Sequence, residues 1–218
     1  DEIEPVGNID LLKFAYDPKT SWRTLIELSD IELTLPKSTE ADYRFRLVEG
    51  SGALRFDQNG VRIVKDLVGK VSGLEYAIAG SWDGYSPDAA FRLGFRSEPF
   101  ALPNEPRVIL ALPEGVQKAF RMFAPEGDVR VSMAAWRPEP GGQIDYEGTA
   151  TFYGGKGRYE RFPYELQNVR GQIRFTPDEV RLLSITGQTS GGGSATITGV
   201  IAPPGQFPAV DLTIAAIN

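Results

Sequence analysis

Cysteine and histidine are both absent from this 218-residue sequence. Their absence excludes disulfides, thiolate nucleophiles, thiolate or imidazole metal ligands and a histidine general base. A carboxylate site, either a glycosidase pair or oxygen ligands for a hard cation, remains as the main route to catalysis. The 29 acidic residues leave many possible pairs, but no spacing singles one out. We therefore expect a protein that is not an enzyme, with no catalytic residue, no metal site and no cofactor.

Positive charge and long apolar runs are also scarce. The 23 basic residues are outnumbered by acidic ones, and the formal net charge is −6. Nucleic-acid-binding proteins usually carry a basic stripe, so no nucleic-acid partner is expected. Apolar runs reach only a few residues, as in Val108–Leu112, whereas a membrane-spanning helix needs about 20. The chain begins at Asp1 like a piece of a longer protein, and we expect any membrane anchor of the parent outside these residues.

Turn-forming and aromatic residues are abundant instead. The sequence has 24 glycines, 16 prolines and an aromatic fraction of 11%, a mixture that suits many short strands. Apolar and polar residues alternate with a period of two, which is typical of strands with one buried face. The apolar positions, expected to line a groove or a core, are Leu54, Phe56, Val61, Ile63, Phe91, Leu93, Phe95, Ile173, Phe175, Leu182, Leu212 and Ile214.

Two blocks of the sequence resemble each other. Residues 5–18 match residues 125–138 at a spacing of 120 positions, and residues 52–64 match residues 171–183 at a spacing of 119. Such self-similarity indicates a repeated structural unit. The predicted segments are a first β repeat over 1–99, a connector over 100–124 and a second β repeat over 125–218.

The connector contains the only clear helical pattern. Pro113 and Glu114 are typical of a first helical turn. An apolar stripe with helical spacing follows and is expected to pack on a sheet face. Its members are Val116, Ala119, Phe120 and Phe123. Because consecutive strands have short links, the fold class is predicted as all-β with one short connector helix, in which tandem antiparallel meander repeats form a curved open sheet or groove.

A glycine-rich stretch at residues 154–157 (GGKG) superficially resembles a phosphate-binding loop. A P-loop requires a glycine where Ala150 stands, and Ser or Thr where Gly157 stands. We therefore predict a hairpin turn between a strand that ends at Tyr153 and one that starts at Arg158.

The last 58 residues carry an ordered series of motifs. They are aromatic-Pro-Tyr, Asn-Val-Arg-Gly-x-Ile, Val-x-Leu-x-x-x-x-Gly, a glycine-rich turn, a strand that ends in Gly, and Pro-x-x-Asp-Leu-x-Ile. These motifs lie at Phe162–Tyr164, Asn168–Ile173, Val180–Gly187, Gly191–Gly193, Gly199 and Pro208–Ile214. The series resembles the AsmA-like repeat of bacterial envelope proteins, a family with TamB and YhdP types. The first copy matches more loosely, with Val48-Glu49-Gly50 in place of Gln167-Asn168-Val169.

The resemblance implies a curved antiparallel sheet with an apolar concave face. It also implies a periplasmic segment of a parent protein anchored in the inner membrane. Members of this family resemble bridge-like lipid transfer proteins, so the implied function is phospholipid transfer or outer-membrane biogenesis. The implied partners are phospholipid or another acyl lipid, with envelope proteins as further candidates.

Two other functions stay open from the residues alone. A structural β module with a closed core could bind an envelope protein or a glycan. A carboxylate-dependent glycoside hydrolase is the third interpretation, because two acids at about 5–10 Å would suffice for it. Composition does not separate an open groove from a closed core, since both need apolar residues on one sheet face.

Overall fold

The computed structural model describes residues 4–18, 21–34, 46–71, 73–102, 117, 121, 123–158, 165–202 and 209–217. Among these residues, thirteen antiparallel strands form a meander-like open sheet, as the sequence predicts. The strands are β1 (Glu4–Asp17), β2 (Ser21–Thr34), β3 (Arg46–Asp57), β4 (Gly60–Val71), β5 (Leu74–Asp83), β6 (Ala90–Ser97), β7 (Phe100–Leu102), β8 (Glu126–Arg137), β9 (Asp145–Gly157), β10 (Leu166–Phe175), β11 (Val180–Thr189), β12 (Ser194–Ala202) and β13 (Ala209–Ile217).

The chain forms two compact units. The first comprises Asp1–Ser97 and Ala134–Asp145, and the second comprises Glu98–Met133 and Tyr146–Asn218. Strand β8 therefore contributes residues to both units, which the predicted division after residues 99 and 124 did not anticipate. The predicted segment boundaries themselves stay a prediction.

Each strand of the first predicted copy has a counterpart in the second. Strands β1 to β6 correspond in order to strands β8 to β13, and the short strand β7 falls in the predicted connector. Irregularities correspond too, because the register of β3 with β4 shifts after Val48 and that of β10 with β11 shifts after Gln167. These positions are 119 residues apart, the same spacing as in the sequence comparison. The structure thus supports a β-sheet repeat character.

Glycine at Gly171 is required by the backbone. Its φ of +140° is one that residues with a side chain rarely adopt, and a Cβ there would collide with the carbonyl oxygen of Ser184 on the neighbouring strand. Gly52, its counterpart, has a φ of +155° and would place a Cβ 2.8 Å from the carbonyl oxygen of Asp66. The sequence matches between the two copies therefore include positions where the backbone permits only glycine.

The predicted hairpin turn at residues 154–157 is wrong. Strand β9 continues through Gly157, and these glycines lie within it. The physical reason is a close approach of neighbouring backbones, because a Cβ on Gly155 would collide with the carbonyl oxygen of Glu126. Glycine here allows two strands to come together rather than allowing the chain to turn.

The predicted connector helix is described only in part. Gln117, Arg121 and Phe123 are helical, whereas Val116, Ala119 and Phe120 lie outside the described residues. Phe123 is half-buried and packs against the hydrophobic core of the second unit. Within the described part of the chain, no helix has the length and apolar character needed to cross a membrane.

The second unit contains a continuous hydrophobic core. In β10 and β11, apolar residues on one face are buried or half-buried, whereas the charged residues and Leu183 on the other face are exposed, so one face of the sheet carries the core. The buried members are Leu102, Val129, Ala150, Phe152, Leu166, Val169, Phe175, Val180, Leu182, Ile185, Ala195, Ile197 and Ile201. Burial of apolar area on this face is the main force that holds these strands in register.

Candidate functional site

An apolar pocket lies on the core face of the second unit, and strand register explains its position. Directly paired residues of adjacent strands lie on the same face of a sheet. Phe152 of β9 pairs with Gly171, which pairs with Ile185 of β11. Ile185 pairs with Ile197, and Ile197 pairs with Ile214 of β13. The meander thus places one apolar row across five strands.

The pocket, called the apolar pocket below, offers about 60 Å³ to the centres of water-sized molecules. One water needs about 10–15 Å³ by the same measure, so the space suits a few water-sized groups. Pocket walls that are almost entirely apolar are typical of sites for hydrophobic ligands. The lining residues are Phe123, Pro125, Phe152, Lys156, Gly157, Leu166, Val169, Ile173, Leu182, Ile185, Ile197, Leu212 and Ile214.

Exposure varies across this pocket. Leu182 is 3% exposed and Ile185 is 7% exposed, whereas Ile214 on the last strand is 41% exposed. The lining residues of β11 are therefore part of the packed core, and the side chain on β13 is accessible from water. An apolar side chain that remains accessible beside a buried floor can contact a ligand without unfolding the core.

The backbone ties the connector to this pocket. The N–H group of Arg158 donates a hydrogen bond of 2.9 Å to the carbonyl oxygen of Phe123. This bond joins the end of β9 to the helical residue that lines the pocket. Lys156, two residues before Arg158, is exposed and is the one charged residue in the lining.

The opposite face of the same strands is polar. Arg174 forms an ion pair with Glu147 at 2.9 Å, and Gln172 donates a hydrogen bond to the Thr151 hydroxyl at 3.2 Å. Arg174 and Gln172 alternate with the core residues of β10, and Glu147 and Thr151 alternate with those of β9. One face of the sheet in the second unit is therefore apolar, and the other is polar and exposed to solvent.

Arg181 and Glu179 form a further pair on this polar side. The guanidinium donates two hydrogen bonds to the carboxylate, at 2.9 and 3.0 Å. This contact lowers the pKa of Glu179 below its usual value of 4.5 and raises the pKa of Arg181. Across the described ranges, no three acidic side chains come together in a way that could hold a metal ion.

Four of the predicted apolar positions in the second copy line the pocket. They are Ile173, Leu182, Leu212 and Ile214. Phe175 is not among the lining residues, and its ring is 3% exposed and packed within the core. There it occupies space that Gly148 leaves free, since a Cβ on Gly148 would collide with the ring.

The predicted positions of the first copy belong to the other unit and are described separately. Each is half-buried. These residues are Leu54, Phe56, Val61, Ile63, Phe91, Leu93 and Phe95. Phe95 stacks on Tyr76 with a ring-centroid distance of 6.1 Å.

The first strand carries exposed apolar side chains that the sequence analysis did not single out. Leu12, Phe14 and Tyr16 of β1 are each more than 60% exposed. Their partners on β2 are Ile26, Thr24 and Trp22. In the first unit, the apolar face therefore extends to the edge strand without being covered by the described residues.

Ile185, a lining residue of the apolar pocket, was missed because a bulge in β11 interrupts the alternation. The register between β11 and β12 shifts between Leu182 and Ile185. A strict period of two from Val180 therefore predicts a core position at Ser184, which is exposed. The apolar Ile185 directly after Ser184, followed two positions later by the small Gly187, is the signal that could have identified the change of phase. Lys156 was missed because its glycine-rich segment had been interpreted as a turn.

Comparisons with known proteins identify no relative: no family model, curated protein or solved structure matches the chain.

Proposed function

We propose that this chain is a non-catalytic segment that binds the acyl chain of a lipid in the apolar pocket of its second unit. The observation that carries the proposal is the arrangement of that pocket. Its floor is formed by core residues such as Leu182, and its lining reaches the exposed Ile214 on the last strand. A site of this kind needs shape and apolar contact, and no reacting group.

The size of the pocket and the free energy of burial favour binding of a short section of an acyl chain rather than of a whole lipid molecule. Each buried methylene contributes about 0.8 kcal/mol, and the pocket offers only about 60 Å³. Contact with a few methylenes gives weak and reversible binding. Weak binding suits a surface along which lipid moves, because a tight site would retain it.

The cellular setting is part of the proposal and rests on the AsmA-like motifs alone. In this view the chain is a periplasmic segment of a parent anchored in the inner membrane, and it takes part in phospholipid transfer or outer-membrane assembly. Phospholipid or another acyl lipid is the proposed partner. Envelope proteins are further proposed partners.

Photocrosslinking at matched positions tests acyl-chain binding. A photoreactive amino acid replaces Ile214, which lines the apolar pocket, or Thr213, the adjacent exposed residue whose side chain points to the other face. Liposomes of phosphatidylethanolamine and phosphatidylglycerol serve as the lipid source. We expect several-fold more lipid adduct at position 214 than at position 213. Equal labelling at both positions would overturn the proposal.

A closed structural module is the second candidate, and one observation favours it. Phe175, Val180 and Ile201 are register partners in adjacent strands, and each is at most 3% exposed. Along this row of paired residues, the apolar face is therefore buried and closed to solvent. A closed module predicts no preference for position 214 in the crosslinking experiment, so the same measurement separates the two functions.

A further inference from the structure

The apolar pocket has one charged residue in its lining, and that residue is a lysine. Lys156 lies in β9, where it pairs in register with Gln167. The other 12 lining residues are Gly157 and 11 residues with apolar side chains. A lysine can lay its aliphatic stem along apolar surface while its ammonium group stays in water. Such a side chain places a positive charge at the margin of the apolar pocket.

The charge of Lys156 is not neutralised by the described protein residues. In the same unit, Arg130 pairs with Glu98 at 3.2 Å, and Arg174 and Arg181 each pair with a glutamate at 2.9 Å. No ion pair of Lys156 occurs among the residues that the structure describes. Among the lining residues, Lys156 is therefore the cation that is available to a ligand.

We infer that Lys156 makes the apolar pocket selective for an acyl chain that carries an anionic head group. This inference rests on the proposed acyl-chain site and adds a head-group class to it. The apolar lining holds the chain, and the ammonium group attracts a carboxylate or phosphate at its end. The same charge repels a cationic head and gives no advantage to a neutral alcohol.

The expected preference is modest because Lys156 is exposed. Ion pairs in contact with water are weak, so an anionic head should tighten binding by about three- to five-fold. Salt screens such pairs. The preference for an anionic head group should therefore shrink as ionic strength rises, while the binding that comes from apolar contact with the acyl chain persists.

Isothermal titration calorimetry on the full chain tests this inference with four ligands below their micellar concentrations. Dodecanoate, dodecanol and dodecylammonium share one chain and differ in head-group charge, and acetate has the charge without the chain. We expect dodecanoate to bind about three- to five-fold more tightly than dodecanol. Dodecylammonium should bind more weakly than dodecanol, and acetate should give no measurable binding.

Two lysine variants assign the preference. Lys156→Gln should abolish the difference between dodecanoate and dodecanol, whereas Lys65→Gln, an exposed lysine of the other unit, should preserve it. Salt dependence in the unmodified protein gives the same information if Lys156→Gln does not fold.

Each unfavourable result has a distinct meaning. Equal binding of dodecanoate and dodecanol, or a preference that survives Lys156→Gln or high salt, would overturn the role of Lys156 and leave the acyl-chain site intact. Binding of acetate as tight as that of dodecanoate would also overturn it, since the site would then hold a free anion. Failure of all three dodecyl ligands to bind would overturn the proposed function as well.

Discussion

Glu49 and Asn168, which lie 119 positions apart in the chain, have the same left-handed backbone conformation, with φ angles of 53° and 52°. Each follows directly after the residue where its strand shifts register with the next one. Left-handed conformations are uncommon for residues other than glycine, although asparagine tolerates them better than most. Two separate occurrences at matching places indicate that the bulge is part of the repeated unit rather than a local accident.

Asn168 supplies the first prediction. Asn168→Ala should lower the free energy of unfolding by about 1 kcal/mol, because alanine tolerates positive φ less well. The change also removes the 2.8 Å hydrogen bond from the Asn168 amide to Gln188. Asn168→Gly keeps the backbone conformation and should cost less. Urea unfolding monitored by circular dichroism measures both, and a larger loss for glycine than for alanine would contradict the strained-backbone explanation.

The fold class followed from alternation and turn residues because both are local signals. The Asn-Gly pair at residues 59–60, for example, is typical of a tight hairpin turn, and in the turn that forms there the Asn59 N–H group donates a 2.9 Å hydrogen bond to the Asp57 carboxylate. Glycines at 154–157 gave the wrong prediction because the same residue serves both tight turns and close strands. Contacts between strands that are distant in sequence decide which role applies, and no local pattern reports them.

The candidate site was predicted only in part for a similar reason. Ile173 and Leu212 followed from the alternation, whereas Ile185 lies beyond a bulge in β11 that resets it. A bulge adds one residue to one strand and moves every later side chain to the other face. The position of a bulge depends on how the strands pair. Beyond it, sequence periodicity therefore no longer predicts which face of the sheet a side chain lies on.

Two adjacent leucines test how strongly the core depends on one face. Leu182 is 3% exposed and lines the apolar pocket, whereas Leu183 is 45% exposed. Leu182→Ala should lower the free energy of unfolding by about 2–5 kcal/mol, as expected when a buried leucine is removed. Leu183→Ala should cost less than about 1 kcal/mol. Similar losses in urea unfolding for the two variants would show that the described face is not the core.

Gly171 tests whether the repeated glycines are structural requirements. Gly171→Ala should destabilise the second unit by more than about 2 kcal/mol, because it combines a disfavoured φ with a collision against the Ser184 carbonyl oxygen. Gly157→Ala is the matched control on a neighbouring strand, since its Cβ would meet nothing closer than the Phe123 carbonyl oxygen at 3.6 Å. In thermal unfolding, we expect a clearly lower midpoint temperature for Gly171→Ala than for Gly157→Ala. A fully tolerated alanine at 171 would contradict the backbone assignment.

The Glu179–Arg181 pair predicts a pH dependence whose sign follows from the lowered pKa of the carboxyl group. Two hydrogen bonds from Arg181 favour the charged form of Glu179 in the folded protein, and the unfolded chain lacks them. The unfolded state therefore binds more protons in the acid range. The stabilisation from this pair should be complete above the usual pKa of 4.5 and should be lost as pH falls through the lower, folded-state pKa.

Titration of the Glu179 carboxyl carbon by nuclear magnetic resonance measures this effect directly. The midpoint should lie below 4.5 in the unmodified protein and should move upward in Arg181→Gln, because that change removes both donors. Arg170→Gln removes an exposed arginine of the same unit that is not a partner of Glu179, and it should leave the midpoint in place. If the Glu179 midpoint is the same in Arg181→Gln as in the unmodified protein, the two side chains are not in contact in solution.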